Sequence, residues 1–195
     1  MTISEMTAGI SSGYFLDVGA GRGIEANRTY DLECRGWTGL CIEPVERFYL
    51  DLLQTRKCRC RQALIAPVAG PTRFALAKHS PWSSGLLEFY NQAARSDFVI
   101  SEVQAHTIGQ ILDEESAPAT IDFWNLDTEG SELAILKSFP WDTRSVRSLC
   151  VEHNAYLVGE TRQEELRAFL TAKGFHIVGQ TKVDLYAVMP PLSGP

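Results

Sequence analysis

The feature that most restricts this chain is the run Phe15-Leu-Asp17-Val-Gly19-Ala-Gly21-Arg-Gly23. An apolar stretch over 14–18 contains an acid, and glycines then recur at alternate positions before a helical pattern begins. Glycine there lets the backbone turn sharply and lets a ligand lie against the chain with no Cβ in the way. The run reads as a buried strand feeding a ligand-binding turn. In a dinucleotide site the loop amides and a helix N-terminus cradle a pyrophosphate. Asp17 puts negative charge beside this loop, which disfavours phosphate and favours a cation. Ile24 also stands where the dinucleotide fingerprint needs its third glycine. A glycine-rich turn by itself is often only a turn.

Strand and helix patterns alternate downstream. A helix over 27–35 should end at Gly36, and a buried strand over 39–43 is closed by Pro44. Val45, Phe48, Tyr49, Leu52 and Leu53 give 45–57 an amphipathic helical spacing. A third strand is expected over 62–66, a turn at Gly70-Pro71 and a strand over 72–78. Residues 79–97, with Pro81, Trp82, Ser83-Ser84-Gly85, Phe89 and Tyr90, read as a surface excursion. Regular order returns with strands over 99–107, 121–126 and 148–151 and helices reaching 113 and spanning 131–137. Thr161-Arg-Gln-Glu164 has the form of a capping box for a helix carrying Leu166, Phe169 and Leu170, which Gly174 ends. Strands over 175–178 and 184–188 complete the pattern. The expected fold is α/β, a Rossmann-like doubly wound, mostly parallel seven-stranded sheet, with an inserted hairpin or cap around 67–98. No repeat or linker is visible, so one domain over 1–195 is expected, with 1–13 as an N-terminal extension.

Composition narrows the function classes. Hydrophobic residues make up 45% of the 195 and charged residues 22%, ordinary for a globular protein. A net charge of −6 leaves no general basic face to displace counterions, so no nucleic-acid partner is expected. No stretch approaches the ~18 apolar residues of a membrane span, and 1–13 lacks an apolar signal region. Five cysteines (Cys34, Cys41, Cys58, Cys60 and Cys150) are an odd count. Free thiols in a reducing, cytoplasmic compartment are therefore expected. Cys58-Arg-Cys60 lacks the spacing of a zinc site and reads as alternate residues along a strand.

Three further segments place chemistry at strand ends. Glu43 closes the second strand, where a carboxylate can accept from both hydroxyls of an adenosine ribose. Together with the glycine loop this points to a positively charged nucleoside, and S-adenosylmethionine carries an ammonium and a sulfonium. Ile121-Asp-Phe-Trp-Asn-Leu-Asp127-Thr-Glu129-Gly-Ser-Glu132 ends a buried strand in three acids. Charge complementarity at a helix start accounts for Glu132 and in part Glu129, and less well for Asp127. Val151-Glu152-His153-Asn154 emerges from another strand. A lone histidine is more often structural, but polar neighbours at a strand's carboxyl end make this one a catalytic candidate.

These pieces together resemble the FkbM-type methyltransferases over roughly 14–188. The resemblance is carried by Asp17–Gly23, by Gly36-Trp-Thr-Gly-Leu-Cys-Ile-Glu43-Pro44, by the 121–132 block and by Glu152-His153-Asn154. It implies methyl transfer from S-adenosylmethionine, in many members to hydroxyls of sugars or polyketide-type products and in some to peptide amide nitrogens. Many relatives carry Asn where this chain has Gly21. On this resemblance Asp17, Gly19, Ala20, Gly21, Glu43, Pro44 and Asp127 hold the cofactor, with Ala63 and Leu64 bordering adenine. Ser83-Ser84 resembles the family's serine pair after the inserted hairpin.

Displacement at the methyl carbon needs a base for a hydroxyl acceptor, and His153 is the first choice, with Asp127 and Glu129 as alternatives. Asp127, Glu152 and Asn154 could instead offer oxygens to Mg²⁺, as in catechol-type methyltransferases. Trp82, Ser84 and Tyr90 are candidates to meet a small-molecule acceptor, a sugar or natural product, or a peptide. Two other readings stand beside this one. One is a non-catalytic module that keeps the fold, and the other is an NAD-dependent oxidoreductase, which Asp17 and Ile24 disfavour.

Overall fold

The computed structural model describes residues 2–90, 96–154 and 160–190. In chain order its elements begin α1 (Ile3–Met6), β1 (Tyr14–Val18), α2 (Tyr30–Cys34), β2 (Thr38–Ile42), α3 (Glu46–Thr55) and β3 (Arg59–Arg61). There follow β4 (Leu64–Ile65), β5 (Gly70–Ala77), β6 (Gly85–Leu86), β7 (Phe98–His106) and α4 (Ile108–Glu114). The last part contains β8 (Thr120–Ile121), β9 (Phe123–Leu126), α5 (Glu132–Ser138), β10 (Ser145–Val146), β11 (Ser148–Glu152), α6 (Glu160–Ala172), β12 (His176–Gln180) and β13 (Asp184–Val188).

The main sheet has seven strands in the order β12-β13-β11-β9-β1-β2-β3. Strands β3, β2, β1, β9 and β11 are parallel, and β13 runs antiparallel to both β11 and β12. The chain winds outward from β1 through β2 to β3, then returns to the other side of β1 as β9. Order reverses between β1 and β9, which is where α/β sheets open a crevice at their carboxyl ends.

Alternation along the strands explains why both faces are covered. Leu16, Val18, Leu40, Ile42, Leu126 and Val151 join the side built with α4, α5 and α6. Phe15, Cys41, Phe123 and Cys150 face the other way, onto Leu32, Trp37 and Leu52 of the α2–α3 side. A period of two with apolar residues in both phases is what a doubly wound sheet requires.

Five sequence expectations are corrected here. The third strand of the main sheet is β3 rather than 62–66; Leu64 and Ile65 pair with β7 in a second sheet, β4-β7-β5-β6. Short and lined by arginine and cysteine, β3 carries none of the apolar run that marks a central strand. Gly70-Pro71 begins β5 instead of turning, and β5 pairs with β7 from Gly70↔Ala105 to Ala77↔Phe98. The insert is therefore a sheet covering 64–106, wider than the expected 67–98. Within the 79–97 excursion Leu86 and Leu87 are buried, and Leu86 packs with Phe48, Leu64 and Phe74. Finally, α6 already contains Glu160, so Thr161 lies inside the helix and does not cap it.

A polar knot anchors the segment after β1. The Arg56 side chain is fully buried and pairs through Nε with Glu33 Oε2 at 2.6 Å. Its Nη1 donates to Asn27 Oδ1 at 3.0 Å and the Gly23 carbonyl at 3.3 Å, and Nη2 to Thr29 Oγ1 at 3.0 Å. Removing one partner of a buried pair leaves the other charged and unsolvated. Arg56→Met is expected to cost about 3–5 kcal/mol of unfolding free energy in urea titration. A loss below ~1 kcal/mol, the range of an exposed pair, would refute this anchoring role.

Candidate functional site

The crevice at the switch point is a cavity of about 210 Å³. Its wall is built from the loop after β1 (Val18–Gly21 and Ala26–Arg28), the end of β2 with Glu43 and Pro44, Ala63–Ile65, and the β9 end with Asn125 and Asp127. Trp82 and Ser84 of the insert, with Thr128 and Glu129, complete it. Gly19, Ala20, Gly21, Glu43, Pro44, Ala63, Leu64 and Asp127, all expected in a cofactor site, do converge here.

The close approach of loop and strand is visible at Gly19. Its φ is +77°, and a Cβ would stand 1.6 Å from the Asp127 carbonyl oxygen. Gly21, at φ +57°, has Trp82 ring atoms 2.4 Å from where a Cβ would be. Glu43 sits at 4% exposure with Oε2 accepting from the Gly21 amide and Oε1 from the Val45 amide, each at 2.8 Å. Each oxygen keeps lone-pair capacity toward the cavity. Burial pushes the Glu43 carboxyl up to about 7, against the pull of those two amides.

Asp17 is not on the wall. It is fully buried, and its Oδ2 accepts from Thr29 Oγ1 at 2.7 Å and Asn27 Nδ2 at 3.0 Å, while Oδ1 accepts from Asn125 Nδ2 at 2.8 Å. Burial raises its pKa; the hydrogen bonds of Thr29 and Asn125 and the charge of Arg56 oppose that rise. Asp17, expected to face a ligand, instead lies behind the wall, bonded to Asn27 and Asn125, which line the cavity.

Three carboxylates meet at the other end. Asp127, Glu129 and Glu152 each bring an oxygen within 4.8 Å of the others. Burial and mutual repulsion push Asp127 to about 7, Glu129 to about 8 and Glu152 to about 11. The approach of the two carboxyls lowers Asp127 and raises Glu152, so of this pair Glu152 is the one held protonated. Glu129 has φ +55°, and Oε2 accepts from Asn154 Nδ2 at 3.3 Å. Glu132, which helix-end charge alone was expected to explain, takes the Thr128 and Gly130 amides at 2.8 and 2.9 Å and pairs with Arg162 at 2.9 Å. It holds the turn that presents Glu129. Of the oxygen set expected for Mg²⁺, Asp127 and Glu152 stand in this cluster beside Glu129, and the Asn154 Nδ2 donates to Glu129.

Two other expected residues stand elsewhere. His153 is buried and absent from the cavity wall; its ring meets the backbone of Thr181 and Asp184. It follows Glu152 by one residue, and adjacent residues of extended chain project to opposite sides. Tyr90 is also off the wall: its hydroxyl donates to the Ser83 carbonyl at 3.0 Å and its ring packs on Phe98 at 4.6 Å. Ser84 lines the cavity, but its Oγ accepts from the Ala77 amide at 3.0 Å. Sequence reading missed Asn27, Arg28 and Asn125. Asn125, polar inside the apolar run Phe123–Leu126, was the one readable signal. Arg28 is held by Asp184, at 2.6 Å and 156 residues away, so no local spacing marks it. Gly19→Ala is expected to abolish nucleoside binding in calorimetry, because the methyl cannot coexist with the Asp127 carbonyl; unchanged affinity would show that the two strand ends are free to separate.

Set beside known proteins, residues 17–177 match the family described as the methyltransferase FkbM domain. Among solved structures the chain is similar to a protein in the NADB-Rossmann superfamily from Streptococcus agalactiae, at 17% identity and a TM-score of 0.48, covering 95% of this chain and 65% of that one. It is also similar to the METTL16 MTase domain, at 13% identity and a TM-score of 0.49, covering 95% and 63%. The chain thus spans just under two-thirds of the length of each. No curated protein matches. The family match runs unbroken from the acid beneath the glycine loop to β12, and the chain belongs to the FkbM methyltransferase family.

Proposed function

We propose that this chain moves a methyl group from S-adenosylmethionine to a hydroxyl oxygen of a small acceptor of the sugar or natural-product kind. The observation that carries the reading is the charge layout of the cavity. Among the described wall residues Arg28 is the only basic side chain, and Glu43, Asp127 and Glu129 are the acids. S-adenosylmethionine has one carboxylate, and its ammonium and sulfonium need negative surroundings. Glu43 accepts from the ribose hydroxyls, Ala63–Ile65 give the adenine an apolar border, and Gly19 lets the backbone approach. Arg28, fixed by Asp184, receives the carboxylate. The cofactor supplies an electrophilic methyl when bound; the chain's part is alignment and proton removal.

Glu129 is the base in this reading. It lines the cavity, and its raised pKa near 8 keeps it matched to a weakly acidic hydroxyl. The exposed face of Trp82, at 42%, offers a flat apolar surface to an acceptor ring. A peptide amide acceptor is the alternative outcome of the same substrate screen, and product formation from any acceptor removes the non-catalytic reading. The NAD-dependent reading loses its support, since the matching family is one of methyltransferases.

Binding and turnover both test the assignment. S-adenosylhomocysteine should bind and NADH should not. Arg28→Met should weaken S-adenosylhomocysteine about 10–100-fold, the value of a charge-assisted hydrogen bond, while 5′-methylthioadenosine, which lacks the amino-acid portion, keeps its affinity. Equal loss of both would make Arg28 merely structural. Turnover should rise with pH through about 8 as Glu129 loses its proton. Glu129→Gln should lower kcat by about 10²–10⁴ and flatten that rise without changing cofactor affinity. Full activity should survive EDTA, because protons already neutralise the carboxylate cluster; a loss restored by Mg²⁺ would assign those carboxylates to a cation instead.

A further inference from the structure

Outside the cavity, three of the five cysteines gather where β2 and β3 run side by side. Cys41 is buried in β2, Cys60 is its register partner in β3, and Cys58 lies just ahead of that strand. The Cys41 and Cys58 sulfurs are 3.5 Å apart. A disulfide needs ~2.05 Å, a gap that side-chain rotation and a small backbone shift can close. Cys58 and Cys60 are spaced two residues along extended chain, about 6.7 Å by strand rise, near the long limit for a bridge. Cys41 is therefore the partner for Cys58.

Reactivity is divided within the group. Cys58 and Cys60 are half-buried, whereas Cys41 has no access to solvent. The contacts with Cys41 and Cys58 pull the Cys60 thiol down to about 4, whereas Cys58 is pushed up to about 11 by its Cys60 contact and burial, against the Cys41 contact, and Cys41 is pushed up as well, so Cys60 is the thiolate that takes protons from the other two. A small oxidant thus meets the outer sulfurs and a protonated thiol waits behind them.

We propose that Cys41 and Cys58 form a reversible disulfide when the protein meets a peroxide. The Cys58 sulfur attacks one peroxide oxygen as its proton passes to the Cys60 thiolate; an S–O bond forms, the O–O bond breaks, and the departing hydroxide takes that proton and leaves as water. The Cys41 sulfur then attacks the resulting sulfenic acid. The S–S bond forms, the S–O bond breaks, the Cys41 proton passes by way of the Cys60 thiolate to the departing oxygen, and water leaves. Two thiols are oxidised and one peroxide is reduced to two waters.

The test uses the full reduced chain and stoichiometric hydrogen peroxide, followed by thiol titration and non-reducing peptide mapping. Titratable thiols should fall from five to three, with one peptide joining Cys41 to Cys58, and dithiothreitol should restore all five. Cys58→Ser should abolish the Cys41 linkage, and Cys150→Ser should leave it intact. Five persisting thiols, a bridge through Cys60, linkage between chains, or sulfinic acid at Cys58 without a bridge would each overturn the proposal.

Discussion

The arrangement turns on one buried carboxylate. Asp17 has no solvent exposure, and an uncompensated ion there would cost several kcal/mol. It is compensated by donors from two directions: Asn27 and Thr29 from the segment leading into α2, and Asn125 from β9. Satisfying that charge obliges three pieces of chain to meet at one point, which is the switch point of the sheet. Arg56 closes the same knot from beneath, bonding Asn27 and Thr29 and pairing with Glu33. The cavity wall is a by-product of this: Asn27 and Asn125 face the crevice because their amides are bound to Asp17.

A second constraint acts at the opposite end of the cavity. Three carboxylates within 4.8 Å cannot all ionise at neutral pH, so the cluster retains protons and orders them. Glu152 holds its proton most firmly, at about 11, followed by Glu129 at about 8 and Asp127 at about 7. Glu132 is different in kind. Its oxygens are occupied by the amides of Thr128 and Gly130 and by Arg162, so it fixes the turn. Four acids in one short stretch of space thus divide into one that holds the turn through hydrogen bonds and three that burial pushes toward the protonated form.

Much of this was legible in the sequence because it is local. The glycine loop, the strand-end acids Glu43 and Asp127, and the alternation of elements outside β3 and the insert are written in neighbouring residues. The failures share a cause. Asp17 was read as facing a ligand because the residues that claim it, Asn27, Thr29 and Asn125, declare nothing until the chain is folded. His153 was read as a base from its neighbours, but a one-residue step from Glu152 turns it toward Thr181 and Asp184. The third strand was misplaced because β3 is an edge strand of arginines and cysteine, without the apolar run that marks a buried one. Arg28 was invisible for the same reason as Asp17: its orienting partner, Asp184, comes from the last strand.

Gly21 links the family pattern to what is particular about this chain. Its φ of +57° is left-handed, a region where Asn is among the best-tolerated residues after glycine. The Asn that the resemblance gives to many relatives at this position therefore suits the same backbone. Here, however, the missing Cβ has a second use. The Trp82 ring occupies that space, and it also packs on Phe48 with ring centroids 4.6 Å apart. A side chain at position 21 would push the indole, and with it the insert, off the cavity. Gly21 and Trp82 therefore work together in this chain: the bare loop leaves the space that the indole of the insert fills.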